Sequence, residues 1–168
     1  SPYTGMQTRE IKALSDDDVR QLQSGAGWGL ALPAELNGIP GPAHVLELKE
    51  QLELTPSQLK SIQALYDDMK IAAVPLGEQF IEVERQIDNY FASASIDEHM
   101  LRKLLTASER LRAELRFTHL SQHLKTAKVL TDGQISRYNK LRGYTSDPCR
   151  FVPEGHDPDM YRSHMGCD

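Results

Sequence analysis

Two histidines, His119 and His123, stand four residues apart, a spacing typical of metal-ligating pairs on a helix. The interval places both imidazoles on one helix face, about 6 Å apart along the axis. A zinc peptidase motif has a glutamate directly after the first histidine, where this chain has Leu120. The pair therefore predicts metal binding without peptide hydrolysis, or else two structural histidines hydrogen-bonded to carboxylates.

The position of this pair within its helix indicates that both rings are buried. His119 and His123 continue an apolar stripe formed by leucines at positions 101, 104 or 105, 111 and 115. Buried imidazoles need polar partners, because a polar group without one is costly to remove from water. A divalent transition metal satisfies several imidazoles at once.

The histidine pair belongs to the most regular part of the chain. Residues 44–144 contain only two of the nine prolines and three of the eleven glycines. Because these residues interrupt regular structure, and no alternating β-branched run stands out, this part is predicted to be all-α. We divide the chain into an N-terminal extension (1–42) with one short helix, a helical hairpin domain (43–144) and an irregular C-terminal tail (145–168).

Four helices are predicted in the hairpin domain, which two long antiparallel helices dominate. A short helix over about 43–52 precedes a long one that starts at the T-P-S-Q sequence of 55–58 and bends at Pro75. The second long helix covers about 97–128, and the last helix starts at T-D-G-Q, 131–134, and stops at Gly143. Both Thr-x-x-Gln sequences are capping boxes, in which the two side chains satisfy free N–H groups at the helix start.

The two turns of this hooked hairpin determine which residues face one another. With turns centred near residues 94 and 54–55, all three of His44, His119 and His123 face the stretch 65–69 of the first long helix. Asp67 and Asp68 lie within a turn of them, and Met69 lies in the same stretch, where it also suits the core. The sequence therefore predicts a metal site at the open end of the hairpin, with these candidate ligands: His44, Asp67, Asp68, Met69, His119 and His123.

Composition excludes several classes of function. The chain has 168 residues, of which 39% are apolar and 26% charged, as in an ordinary globular domain. Its net charge of −5 argues against nucleic-acid binding, and its apolar runs are too short for a membrane span. No P-loop, dinucleotide-binding or nucleophile-elbow motif is present, so we expect a binding protein and no enzyme.

Charge is divided between the two long helices. Residues 44–98 carry a net charge of −7 and residues 99–144 a net charge of +7. An acidic helix beside a basic one favours a single pairing over slipped alternatives. The apolar stripe of the first long helix is broader than one neighbour can cover, so we also expect a homodimer.

The sequences LTPSQ at 54–58 and LTDGQ at 130–134 resemble the paired L-T-x-x-Q motifs of the Spy/CpxP family, over about residues 43–144. That family includes zinc-responsive periplasmic proteins and the nickel/cobalt sensor CnrX. The resemblance implies a hooked helical hairpin, usually homodimeric, in the Gram-negative periplasm. It also implies a role in envelope stress, either in metal sensing or in chaperoning without ATP.

The resemblance also implies a ligand set. In the nickel/cobalt sensor the metal is held by histidines near the start of the first helix, a carboxylate on the second and a His-x-x-x-Met pair on the third. His119 and His123 match that pair with histidine in place of methionine, while His44 and Asp67 fall near the other two positions. We therefore expect a heavy-metal sensor that binds zinc, nickel, cobalt or copper.

Two other functions stay open. An ATP-independent chaperone would hold an unfolded client protein in a cradle lined by basic residues: Arg102, Lys103, Arg110, Arg112 and Arg116. A structural dimer would contact a membrane-bound regulator through a Gly- and Pro-rich arm, residues 25–42. Alternatively, Trp28, Leu30 and Leu36 pack this arm onto the helices.

The two cysteines, Cys149 and Cys167, both lie in the tail. In an oxidising compartment they can form a disulfide, worth about 3 kcal/mol in the chain-entropy model. Alternatively, a Cys167 thiolate could join nearby His and Met residues as a ligand for copper(I) or zinc.

Overall fold

Two long antiparallel helices dominate the protein. The computed structural model describes residues 1–145, 155, 157–164 and 166–167. Within these residues it contains no strand, so the all-α prediction is confirmed. In this described part of the chain, a 3₁₀ turn at Met6–Thr8 precedes seven α-helices: α1 (Asp16–Gln23), α2 (Leu32–Glu35), α3 (Pro42–Glu47), α4 (Pro56–Ala92), α5 (Glu98–Val129), α6 (Asp132–Arg142) and α7 (Pro158–His164).

Side-chain caps start four of the described helices, including the two predicted at Thr55 and Thr131. Ser15, Thr55 and Thr131 each accept a hydrogen bond from the backbone N–H three residues on, and each forms a complete capping box. Asp97 caps α5 through the N–H of Met100. Gly143 ends α6 in the left-handed region, with φ 75°. These local signals are read from the sequence because they involve neighbouring residues only.

The helix α4 continues without interruption through Pro75. A proline inside a helix removes one hydrogen bond and crowds the preceding turn. The face of α4 on either side of it is nevertheless packed, since Ala73, Phe80 and Ile81 are buried in one core cluster. Tertiary packing therefore stabilises a continuous helix through Pro75, a position that local propensity disfavours.

The N-terminal extension packs onto this hairpin. Ile11, Leu14, Leu22 and Leu30 share a buried cluster with side chains of α4 and with Leu115 of α5. Part of the broad apolar stripe of α4 is thus covered within one chain. The homodimer, which that stripe suggested, stays a prediction.

Close contact between α1 and α4 depends on Gly77. A Cβ atom built at Gly77 would collide with the backbone carbonyl of Leu22, the last buried residue of α1. Glycine therefore lets the backbone of α1 approach α4 directly, as small residues do at tight helix crossings.

One sequence prediction needs correction. The short helix expected over 43–52 ends at Glu47, and turns follow it as far as Glu53, which has φ 51°. Among the described residues of the tail, one short helix, α7, is present. At the end of α4, Phe91 is exposed.

The paired motifs meet at one point of the fold. The side-chain amides of Gln58 and Gln134 donate to each other, with Nε2–Oε1 distances of 2.8 and 3.0 Å. Each Oε1 also accepts from the N–H of its own capping threonine, and each Nε2 also donates to a backbone carbonyl, of Val129 or Leu52. We call this reciprocal pair the glutamine clasp.

The clasp gives each motif residue a physical role. The leucines, Leu54 and Leu130, pack in a second core cluster around Tyr138. The threonines cap α4 and α6, and the glutamines both complete the capping boxes and join the two helix starts.

Removing the clasp is expected to destabilise the fold in a coupled way. Gln58→Ala and Gln134→Ala should each lower the free energy of unfolding by about 1–2 kcal/mol, since each removes a capping-box bond and both bonds between the partly buried amides. The double variant should lose less than the sum of the two, with a coupling energy of about 1 kcal/mol. Urea unfolding measures all three.

Gln63→Ala is the matched control, because this exposed glutamine of α4 donates only to the neighbouring Asp67. It should change stability by less than about 0.5 kcal/mol. Additive effects of the two clasp variants would show that the amides act independently.

Candidate metal centre

A cavity of about 210 Å³ lies between the N-terminal arm, α3 and the open end of the hairpin. Four of the six predicted ligands line it: His44 from α3, Met69 from α4, and His119 and His123 from α5. The geometry inferred from the two turns thus brings these residues to one place.

The ring of His123 has a fixed orientation. Its Nδ1 lies 2.7 Å from the carbonyl oxygen of Ile39, so Nδ1 carries the proton and donates. A carbonyl can only accept, and the lone pair of the neutral ring is therefore on Nε2. This second bond is the kind that orients metal-ligating histidines.

Gly41 allows this ring to sit against the backbone. A Cβ atom at Gly41 would meet Nε2, Cε1 and Cδ2 of His123 at 2.5, 2.7 and 3.1 Å. These three similar distances place Gly41 over the ring face, so it does not cover the in-plane lone pair of Nε2. Any larger residue here would displace the ring.

His119 is the most deeply buried of the three imidazoles, with 3% of the residue exposed. Its Nε2 atom is buried and has no hydrogen-bond partner within the described structure. Burial, together with the charges of His123 and Lys70, lowers the pKa of His119 to about 4. The ring is therefore neutral near pH 7 and able to act as a ligand.

His44 is oriented by a carboxylate that the sequence analysis did not select. Its Nδ1 lies 3.2 Å from Oε1 of Glu35, a residue of α2 that also lines the cavity. This contact leaves Nε2 as the nitrogen of His44 available for a ligand. Glu35 lies in a Gly- and Pro-rich segment whose path no periodicity indicates, and only its proximity to Trp28 in the arm hinted at burial.

The arm forms the outer wall of the cavity through Trp28. The indole packs on Phe80 with ring centroids 5.6 Å apart, and its Nε1 donates to Asp18 at 2.8 Å. Its backbone has φ 45°, a left-handed conformation that is costly for a bulky residue. Leu30 is buried as predicted for a packed arm, whereas Leu36, predicted to pack with it, is exposed.

Asp67 and Asp68 are not part of this cavity. Both are exposed, because they lie one and two residues before Met69 and so project from other faces of α4. The side chain of Asp67 instead accepts from Gln63 at 2.9 Å. The sequence already indicated this position, because the apolar stripe of α4 runs through positions 62, 65, 69 and 73 and does not include 67 or 68.

The imidazoles surround the cavity without converging on one point. In the described part of the chain, no three His, Cys, Asp or Glu side chains form a group able to hold a metal ion. An ion would therefore have to draw the walls of the cavity together.

None of the described tail residues lines this cavity. Cys167 is disulfide-bonded, so it does not supply a thiolate ligand. Its predicted partner, Cys149, and the tail residues His156 and Met165 lie outside the described residues.

Comparison with known proteins gives one match. The model of a family described as LTXXQ motif family protein matches residues 43–142, more than half of the chain. No curated protein and no solved structure matches significantly. None of the described helices is long and apolar enough to cross a membrane.

Proposed function

The chain belongs to the LTXXQ motif family, and from that premise we propose that it is a periplasmic envelope-stress protein, without enzymatic activity, that senses a transition-metal ion. The ion binds in the cavity between the arm and the open end of the hairpin. His119 and His123 are its principal ligands, with His44 and Met69 beside them.

The observation that carries this proposal is the unpartnered Nε2 of His119. A buried nitrogen without a hydrogen bond is costly, and a metal ion is a ligand that would satisfy it. The donors around it are imidazoles and one thioether, a set that suits zinc, nickel, cobalt or copper better than magnesium or calcium.

The same arrangement suggests how binding is transmitted. Nitrogen ligands lie about 2.0–2.1 Å from a bound zinc ion, so an ion shared by several walls of a 210 Å³ cavity must pull those walls inward. Two of these walls are α3 and the arm, and both would move toward α5. The displaced arm then presents a different surface to a partner such as a membrane-bound regulator.

Calorimetric titration of the metal-free protein with zinc, nickel and copper ions tests the proposal. We expect one ion per chain, and we expect His119→Ala/His123→Ala to abolish binding while circular dichroism stays helical. His99→Ala is the matched control, since it removes an exposed imidazole from the same helix and should leave affinity unchanged. A double variant that binds as tightly as the parent, or a parent that binds none of the ions, overturns the proposal.

A chaperone role is the second candidate, and exposed apolar side chains on α5 favour it. Phe117 and Leu124 are 68% and 60% exposed, seven residues apart on the face opposite the core. Arg110 and Lys128 lie on the same face. Such a mixed apolar and basic surface suits an unfolded client, and suppression of client aggregation by the metal-free protein would support this role.

A further inference from the structure

We propose that Glu35 supplies the carboxylate ligand of the metal site through its Oε2 atom, so that ion binding fastens the arm to the helices. This inference rests on the proposed function, and it assigns to a residue of the arm the part that the sequence analysis gave to Asp67 and Asp68.

Glu35 has the burial and position that the assignment needs. It is 6% exposed, and it is the only acidic side chain among the buried residues of the described structure. It lines the same cavity as His44, His119 and His123. An ion that reaches these imidazoles is therefore close to a buried carboxylate.

The two oxygens of Glu35 are used very unequally. Oε1 accepts from the hydroxyls of Tyr138 and Tyr144 at 2.5 and 3.0 Å, and His44 Nδ1 lies 3.2 Å away. Arg142 Nε is also close to Oε1, at 3.4 Å. Oε2 is buried and has no hydrogen-bond partner in the described structure. One oxygen is thus held in place, and the other keeps its capacity to accept a ligand.

The surroundings of Glu35 suit a carboxylate anion. The groups close to its Oε1 include the guanidinium of Arg142 and a ring nitrogen of His44. A buried anion with one empty oxygen favours a cation beside that oxygen. A carboxylate also neutralises part of the charge of a divalent ion, which the neutral His119 and the Met69 thioether cannot do.

Because Glu35 belongs to the arm, an ion bound to it would attach the arm to the helices. It precedes residues 43–142, the family-matched region, whereas the histidines all lie within it. The arm is joined to α6 by Glu35 and, independently, by Asn139, whose Nδ2 donates to the Gly38 carbonyl at 3.1 Å. An ion held by Glu35 and by α5 would add a further attachment to α5, beside the hydrogen bond from His123 to the Ile39 carbonyl.

Zinc titration of Glu35→Gln tests the inference. Glutamine keeps the shape and leaves an oxygen for the tyrosine hydroxyls, but it lacks the charge. We expect the zinc affinity to fall at least about tenfold relative to the parent. We also expect zinc to change the emission of Trp28, the single tryptophan, in the parent and much less in the variant.

Asn139→Ala separates a ligand role from an anchoring role. It removes the other hydrogen bond between the arm and α6 without changing a residue that lines the cavity, and it should leave zinc affinity within about threefold of the parent. Glu47→Gln, an exposed acid on α3, controls for net charge and should change nothing.

The outcomes distinguish this inference from the proposed function. If the parent binds zinc and the double histidine variant does not, but Glu35→Gln binds normally, Glu35 is not a ligand and the metal site stands. An equal loss in Asn139→Ala shows that Glu35 acts only by anchoring the arm. If Glu35→Gln fails to fold, a crystal structure of the zinc-loaded parent decides, since Oε2 must lie about 2.0–2.2 Å from the ion.

Discussion

Tyr138→Ala is expected to lower the free energy of unfolding by about 3–5 kcal/mol, the range found when a buried aromatic side chain is truncated. Tyr138 is fully buried in the cluster that holds Val45, Leu52 and Ile62. Its hydroxyl donates to Glu35, and burial together with that carboxylate raises the pKa of Tyr138 far above its usual range. The ring and the hydroxyl therefore both contribute to stability. Denaturant unfolding measures how much free energy of unfolding is lost without them.

Tyr138→Phe separates the hydroxyl from the ring. It should cost about 1–3 kcal/mol, because the Glu35 carboxylate then loses its shortest hydrogen bond while staying buried. Tyr3→Ala is the control, since Tyr3 is 72% exposed and should change stability by less than about 0.5 kcal/mol. A phenylalanine variant as stable as the parent would show that this hydrogen bond contributes nothing net.

Gly77→Ala is expected to destabilise the protein by about 3 kcal/mol, although alanine is the better helix former. The added methyl group would meet the backbone carbonyl of Leu22, which cannot rotate away as a side chain can. Either α4 is strained or α1 moves off it, and in the second case the cluster around Leu22 and Phe80 opens. Thermal unfolding gives the loss, and Trp28 emission reports the opening because its ring packs on Phe80.

Gly133→Ala makes the same chemical change, but it is not expected to destabilise the protein. Gly133 lies in α6, and the nearest atom to an added Cβ is the Thr131 hydroxyl oxygen, at 3.9 Å. With space available, alanine should be neutral or stabilising by up to about 1 kcal/mol. If Gly77→Ala behaves as Gly133→Ala does, the two helices are not in backbone contact at that crossing.

Local and periodic patterns predicted most of the helical framework. The capping boxes at Thr55 and Thr131 placed two helix starts, because a cap involves only a few consecutive residues. The positions of two short turns predicted that His44 and Met69 lie near the histidines of α5, because helix geometry is regular between turns. All four residues line the same cavity. The early end of α3 was not predicted, because the turn residues after it, 48–53, contain no glycine or proline to indicate a break.

The arm shows where such patterns stop being informative. Its path depends on single contacts, such as the Ile39 carbonyl with His123 and the Gly38 carbonyl with Asn139. No repeat in the sequence encodes contacts between residues about a hundred positions apart. Glu35 was missed for this reason, whereas the exclusion of Asp67 and Asp68 followed from the stripe of α4.

The glutamine clasp has a consequence for how the protein unfolds. Gln58 and Gln134 are 76 residues apart, and the α4–α5 hairpin lies between them. The two long helices contact each other along the hairpin, whereas the clasp joins only its outer end to the start of α6. The clasp is therefore expected to open before the hairpin does, as a unit of partial unfolding that frees α6. Because α6 carries Tyr138, fraying at the paired motifs would also release Glu35 and uncover the cavity.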